Sequence, residues 1–223
     1  TDPRIAISNP LLAEISHLRA NLWEEHLAVC VRNLKASQPG CWIFELGTTY
    51  AGSADAVEES RLLSGVICGE QRLERWTTSG KPAPPDYYAA RGRLTEVMQA
   101  LKLDVSDRRL TDDSRLHPGR AATLDLEGRP LGCFGQLHPE LAESHDLPEA
   151  TFLFELDLSR LVESATRRNR WIPAFKAFPT VPASERDLAV VVDRSLAASD
   201  LMQSIRKAGK PLLESVTLID RFE

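Results

Sequence analysis

The sequence lacks the short motifs that mark the common classes of active site. It contains no GxGxxG or GxxxxGK[ST] phosphate loop, no GxSxG nucleophile turn and no HExxH zinc helix. Its 12 glycines are dispersed as turn residues and form no glycine-rich loop. The ordinary signatures of catalysis are therefore missing.

Cysteines are few and show no zinc-binding spacing. None of the four lies in a CxxC pair, and each lies in an apolar stretch: Cys30, Cys41, Cys68 and Cys133. This pattern predicts buried, reduced thiols, which are typical of cytoplasmic proteins.

Excess positive charge and long apolar runs are also lacking. The formal net charge is −5 over 223 residues, so any contact with RNA must be local and cannot come from the field of the whole surface. No apolar run approaches the roughly 20 residues that span a bilayer, and the first ten residues do not resemble a signal peptide. We therefore expect a cytoplasmic protein without membrane contact. The absence of an initiator methionine suggests a piece of a longer chain.

The hydrophobic pattern predicts mixed helices and short strands in the first 165 residues. The expected helices cover 20–36 and 87–101, with shorter ones starting near His138 and Leu158. The expected strands cover 41–46 (ended by Gly47), 62–68, 121–126, 131–136 and 151–158, and 127–130 forms a hairpin turn. The proline-rich segment from Glu70 to Asp86 is expected to be a loop. This order predicts an α+β domain with a largely antiparallel sheet and flanking helices.

A second, smaller unit is predicted after a basic segment. A strand at 187–193, a helix that starts at Ser195 or Ser199 and ends at Gly209, and a strand at 212–219 would form a β-α-β unit. We place the first domain at 1–165, a basic linker at 166–177 and the second domain at 178–223.

Two glutamates lie inside apolar strands and are candidate site residues. Burying Glu45 or Glu155 is unfavourable unless the carboxylate is paired. Either they belong to a site, or each points outward or meets an arginine such as Arg19 or Arg120. The second reading is favoured.

The five histidines lack partners at metal-ligand spacing. His117 and His138 each precede a proline at the boundary of an element. They could be a ligand or an acid–base pair, but a turn in which the imidazole bonds to the backbone is favoured.

Candidate RNA-contacting residues cluster in the predicted linker. Arg167, Arg168 and Arg170 could contact a phosphate backbone and Trp171 could stack on a base, or the segment could be a solvated linker. Arg186, in the second unit, is a further candidate.

Six phrases in collinear order resemble the β subunits of bacterial phenylalanine–tRNA ligases. They are NPL at 9–11, FELG at 44–47, LHPGRA at 116–121, GCFGQLHPE at 132–140, FELDL at 154–158 and SERDLA at 184–189. The resemblance covers nearly the whole chain. It implies a first region built like a class II synthetase catalytic module.

The resemblance also implies that this module is inactive. A class II site needs an arginine on its second-motif strand for the ATP α-phosphate and another at the head of its third-motif helix. The strand that looks equivalent carries Glu45, and no Gly-x-Gly-x-x-x-Glu-Arg phrase occurs in the first 165 residues. We therefore expect no cofactor in this chain, although ATP and Mg²⁺ are implied for the holoenzyme.

The partners that the resemblance implies are a catalytic α subunit, in an α2β2 heterotetramer, and the phenylalanine tRNA. The second unit looks like the start of a ferredoxin-like, RRM-type anticodon-binding domain, which needs β-α-β-β-α-β. The sequence stops after the first half, so its two strands should not pair with each other. No segment resembles the family's editing domain. Two alternatives stay open: an independent RNA-binding module, and an enzyme that uses Glu45 and Glu155 as a carboxylate pair.

Overall fold

The computed structural model describes residues 4–12, 16–70, 83–173, 175, 177, 178, 180–220 and 222. The chain divides into two compact units, Thr1–Ala174 and Phe175–Glu223. The predicted linker, 166–177, spans this division.

The first unit is built on one six-stranded antiparallel sheet. Its strands, in chain order, are β1 (Gly40–Ser53), β2 (Ala56–Gly69), β3 (Val105–Arg109), β4 (Leu116–Leu126), β5 (Arg129–Leu137) and β6 (Thr151–Asp157). In the sheet they follow the order β1-β2-β6-β5-β4-β3, and every neighbouring pair is antiparallel. The prediction of an α+β fold with an antiparallel sheet is confirmed.

Four helices flank this sheet, and each was predicted to within a few residues. They are α1 (Trp23–Lys35), α2 (Tyr87–Ala100), α3 (Pro139–Ser144) and α4 (Leu158–Ala165). Their starts are fixed locally: the Asp86 carboxylate accepts the N–H of Ala89, and the Asp157 carboxylate accepts the N–H of Arg160. These caps fix where α2 and α4 begin, whereas α2 was predicted from the spacing of its apolar residues.

Each face of the sheet has its own core. Helices α2 and α4 cover one face, where Phe134 and Phe152 stack with ring centroids 6.1 Å apart. Helices α1 and α3 cover the other face, where Leu27 and Cys30 of α1 pack on side chains such as Leu153. Of the four cysteines, three are buried and Cys133 is half-buried, and all are free thiols.

The strands are longer than their apolar segments predict. β1 and β2 pair residue by residue from Gly40 opposite Gly69 to Ser53 opposite Ala56, well beyond the predicted 41–46 and 62–68. The outer half of this hairpin is exposed, so backbone pairing holds it without an apolar pattern.

Gly47 does not end its strand, contrary to the prediction. A Cβ there would lie 2.8 Å from Arg19 Nη2 and 2.8 Å from Glu45 Oε1, so the missing side chain makes room for these groups in the middle of β1. Strand β3 was not predicted because four of its five residues are exposed. Most of the predicted loop, residues 71–82, lies outside the described residues.

The second unit forms the predicted helix but not the predicted strands. Helix α5 (Ala198–Ala208) ends at Gly209 as expected. In the described part of the unit, 187–193 and 212–219 form no strand, either with each other or with another segment. Their apolar side chains, such as Val191 and Ile219, are exposed. Those two strand predictions are wrong for this structure.

Within the described ranges, no helix combines the length and the apolar character needed to cross a membrane.

Candidate functional site

A row of polar residues crosses the sheet beneath α1. In register, Glu45 of β1 lies opposite Ser64 of β2, Ser64 opposite Glu155 of β6, and Glu155 opposite Cys133 of β5. We call these four residues the polar row. In the polar row, Glu45, Glu155 and Cys133 extend from the strands toward the core under α1.

Glu45, at one end of the polar row, is paired with an arginine that comes from outside the sheet. Arg19 Nη1 lies 2.8 Å from Glu45 Oε1, and Arg19 Nε donates to the carbonyl oxygen of Thr48 at 2.9 Å. About a third of each side chain in the pair is exposed, at 32% for Arg19 and 36% for Glu45. The reading that paired Glu45 with an arginine such as Arg19 is confirmed.

Glu155 is held more deeply, by an arginine that the sequence did not single out. Arg115 Nη1 donates to Glu155, and Arg115 Nη2 lies 2.7 Å from Asp113 Oδ2. The suggested partner Arg120 instead reaches Gln136 at 2.8 Å and Glu149 at 3.3 Å. Arg115 is the last residue of the irregular segment before β4. No helical or strand periodicity there identifies it as a partner of Glu155.

The pair of carboxylates around Arg115 sets the electrostatics of this part of the face. Hydrogen bonds that Arg115 donates to Asp113 lower the pKa of that carboxyl. The same bonds, together with the contact to Glu155, raise the pKa of Arg115. Burial raises the pKa of the neighbouring Cys133 thiol to about 11. The thiol therefore stays protonated at neutral pH and is not an activated nucleophile.

His26 of α1 lies over the centre of the polar row. Only 4% of it is exposed, and burial lowers its pKa even though Glu45 and Glu25 act to raise it. Its Nε2 and the Ser64 hydroxyl oxygen have no hydrogen-bond partner among the described residues. The face is thus closed over a neutral imidazole.

The two candidate glutamates do not converge on one cleft. One strand, β2, separates their strands, which sets their backbones roughly 10 Å apart across the sheet. Each carboxylate is bound by its own arginine. The alternative of an enzyme with a Glu45–Glu155 carboxylate pair is not supported by this geometry.

The two His-Pro segments are structural turns, as favoured from the sequence. The Nδ1 atom of His117 accepts the N–H of Gly119 at 3.0 Å, and that of His138 accepts the N–H of Glu140 at 3.4 Å. Within the described ranges, no group of three or more His, Cys, Asp or Glu side chains is placed to hold a metal ion.

Most of the predicted RNA-contacting cluster folds back onto the first unit. Arg167 and Arg170 bind Glu127, at 2.8 Å and 3.0 Å. The indole N–H of Trp171 donates to the carbonyl oxygen of Ala165 at 2.7 Å, and the Lys102 ammonium lies 4.9 Å from the Trp171 ring centroid. These contacts dock the start of the predicted linker.

Arg168 and Arg186, the other two predicted RNA contacts, make none of these contacts. Arg168 is exposed and has no ion pair or hydrogen bond with any described residue. Arg186 belongs to the second unit, where its guanidinium donates to the carbonyl oxygen of Glu185 at 2.7 Å.

An arginine that the sequence reading passed over lies at the head of α4. Arg160 is in the first turn of this helix, directly after β6, and its guanidinium donates to the carbonyl oxygen of Pro130. Helix α4 covers the sheet face opposite the polar row. Arg160 therefore does not share a site with Glu45.

Comparison with known proteins gives two family matches along the chain. Residues 1–158 match the model of the phenylalanyl tRNA synthetase beta chain CLM domain. Residues 179–223 match the model of the ferredoxin-fold anticodon binding domain.

Curated relatives share these sequences over a part of their own length. The chain is 95% identical over all its residues to a phenylalanine–tRNA ligase beta subunit of Parasynechococcus marenigrum (strain WH8102), of which it covers 27%. It is 72% identical over its full length to the protein of that name from Synechococcus sp. (strain CC9605), covering 28%. It is 61% identical over 99% of its length to that of Prochlorococcus marinus (strain MIT 9313), covering 27%. The chain thus spans a little over a quarter of the relatives that it matches.

Proposed function

The chain belongs to the phenylalanyl-tRNA synthetase β-chain family, and we propose that it acts as a non-catalytic part of phenylalanine–tRNA ligase. In this role it supports the attachment of phenylalanine to its tRNA by associating with a catalytic α subunit, in an α2β2 assembly, and by contacting the tRNA. ATP and Mg²⁺ are then used by the α subunit and not by this chain.

The observation that most supports a non-catalytic role is the Glu45–Arg19 ion pair. A class II site needs an arginine on the strand that β1 resembles, because negative charge develops on the α-phosphate during adenylate formation. Here the strand carries a carboxylate, and the arginine that reaches it, at 2.8 Å, neutralises it from outside the sheet. A triphosphate placed on this strand would meet a carboxylate, and the arginine beside it is already bound to that carboxylate.

The rest of the same face supports the proposal. Arg115, the other cation at the polar row, is bound to both Glu155 and Asp113. His26 and the apolar side of α1 cover the centre of the row. The carboxylates and arginines of this face are thus bonded to each other, and the sheet is left to serve as a scaffold.

The second unit supports a role with tRNA. Residues 179–223 match a ferredoxin-fold anticodon binding domain, a class of fold that contacts single-stranded RNA bases, and helix α5 of that match is formed. Arg186 and Arg168 stay candidates for RNA contact because both are exposed.

The experiment that tests this function is assembly with an α subunit. The protein that carries this chain is purified with and without a cognate catalytic α subunit and analysed by gel filtration and by tRNA aminoacylation. We expect a heterotetramer and phenylalanyl-tRNA formation only when both subunits are present. Elution of two separate proteins, with aminoacylation by the α subunit alone, would overturn the proposal. Salt-dependent RNA binding without any association with the α subunit would instead favour an independent RNA-binding module.

A further inference from the structure

A basic corner of the first unit surrounds a small cavity. We define this corner as Arg129 at the start of β5, Arg160 of α4, and Arg167, Arg168 and Arg170 of the segment after α4. Three of these arginines, Arg129, Arg160 and Arg167, line a cavity of about 280 Å³. This volume lies just under the range of drug-sized pockets and suits a small group such as a phosphate.

The positive charge of the corner exceeds its negative charge. Its five arginines face two carboxylates that line the cavity, those of Glu127 and Glu163. A third carboxylate, Asp157, accepts the backbone N–H of Arg160 and does not line the cavity. The corner is therefore a local basic site on a chain whose formal net charge is −5.

The donors of the corner are only partly used by the protein itself. Glu127 binds both Arg167, which lines the cavity, and Arg170, which does not. Arg170 also donates to the carbonyl oxygens of Ser164 and Lys102, so its donors are largely used within the protein. One guanidinium nitrogen of Arg160 donates a hydrogen bond to the carbonyl oxygen of Pro130. Arg129 makes no ion pair or side-chain hydrogen bond within the described part of the chain. Because each guanidinium carries five N–H donors, several remain for a ligand.

We infer that the basic corner binds a backbone phosphate of the tRNA. A guanidinium presents its donors in a planar fork that matches two phosphate oxygens, and arginines from three chain segments surround one small cavity here. Such a contact positions the RNA and reads no sequence, because every nucleotide carries the same phosphate. The inference rests on the proposed function for the identity of the nucleic acid. It adds Arg129, which is remote in sequence from the predicted cluster, and Arg160, which lies in the helix just before it.

The test compares two exposed arginines in the assembled enzyme. Arg129→Gln removes a cation of the corner that has no described partner, so the fold should not depend on it. Arg61→Gln is the matched control, since Arg61 is exposed on strand β2 outside the corner and also has no described partner. tRNA binding is measured over a series of salt concentrations, and the KM for tRNA in aminoacylation is measured alongside.

For Arg129→Gln we expect the Kd to rise about threefold to tenfold for cognate and non-cognate tRNA alike, and the KM for the cognate tRNA to rise by a similar factor. The slope of log K against log salt should decrease in magnitude by about one, because one fewer phosphate is neutralised. Arg168→Gln should act in the same direction.

Equal affinities and equal salt slopes for Arg129→Gln and Arg61→Gln would overturn the inference. The inference would also be overturned if millimolar inorganic phosphate bound at the basic corner without weakening tRNA binding, because free phosphate would then be the ligand. Failure of this inference can be distinguished from failure of the proposed function. In the second case the unaltered protein would not associate with the α subunit.

Discussion

The two faces of the six-stranded sheet come from the same strands but have different chemistry. On one face, aromatic and aliphatic side chains such as Phe134 and Phe152 pack under α2 and α4. On the other, the polar row runs under α1 and is bonded to Arg19 and Arg115. Alternate residues of a strand point to opposite faces, so one sequence can encode both. The difference indicates that the polar face has the residue types of a site, yet its carboxylates are each bound to an arginine.

The largest expected effect is on the apolar face. Phe134 is fully buried in its core, and Phe134→Ala should lower the free energy of unfolding of the first unit by about 3–5 kcal/mol, through lost burial and the cavity that remains. Urea denaturation measures this change. Val162→Ala, at an exposed apolar position of α4, is the control and should change stability by no more than about 0.5 kcal/mol. A similar effect for both would contradict the placement of the core.

On the polar face the largest effect should come from Arg115. Arg115→Met leaves Glu155 and Asp113 without their cation, with side chains only 13% and 15% exposed. We expect a loss of roughly 2–4 kcal/mol, somewhat less than for a fully buried pair because Arg115 is itself partly exposed.

A double variant separates loss of pairing from loss of packing. Arg115→Met combined with Glu155→Gln removes one of the stranded charges, so it should recover part of the stability. A double variant that is less stable than Arg115→Met alone would show that the ion pair is not the cause.

The polar face should also make stability depend on pH. Burial lowers the pKa of His26, so the unfolded chain binds a proton more readily than the folded chain. The stability from the buried neutral imidazole is therefore present above the usual histidine pKa of about 6.5. It should decrease as the pH falls from there towards the lowered folded value, by at most about 1.4 kcal/mol per pH unit.

The measurement is the denaturation midpoint from pH 8 to pH 5. His26→Gln should flatten the profile between pH 6.5 and 5. The matched control variant is His145→Gln, at a half-exposed position after α3. Identical profiles for the parent and His26→Gln would show that the imidazole is not buried as described.

The smallest effect is expected at the outer end of the polar row. Arg19→Ala removes the partner of Glu45, but both side chains are about one third exposed, so the loss should be about 1 kcal/mol or less. The difference from the parent protein should shrink at high salt because solvent-exposed charges are screened. A loss as large as that of Arg115→Met would contradict the contrast between the two ends of the row.

The sequence predicted elements whose signals are local. Helices α1, α2 and α5 were found from apolar spacing and end signals, and the β4–β5 hairpin from its Gly-containing turn. The polar half of the β1–β2 hairpin and all of β3 were missed, because backbone pairing with a neighbouring strand leaves no mark in the pattern of side chains.

The same limit applies to the sites and to the second unit. The Glu45–Arg19 pair was anticipated, but Arg115 was not, since its contact with Glu155 joins residues 40 positions apart. The segments at 187–193 and 212–219 have strand-like composition, but a strand also needs a partner for its backbone groups, and none lies beside them among the described residues.

The central claim is that the sheet face with the polar row does not activate phenylalanine. The direct measurement is phenylalanine-dependent ATP–pyrophosphate exchange by the protein that carries this chain, purified without an α subunit, beside the assembled enzyme as the positive control. The account predicts exchange by the assembled enzyme and none above background by the protein alone. Exchange by the protein alone that depends on phenylalanine, and that Glu45→Ala abolishes, would contradict it.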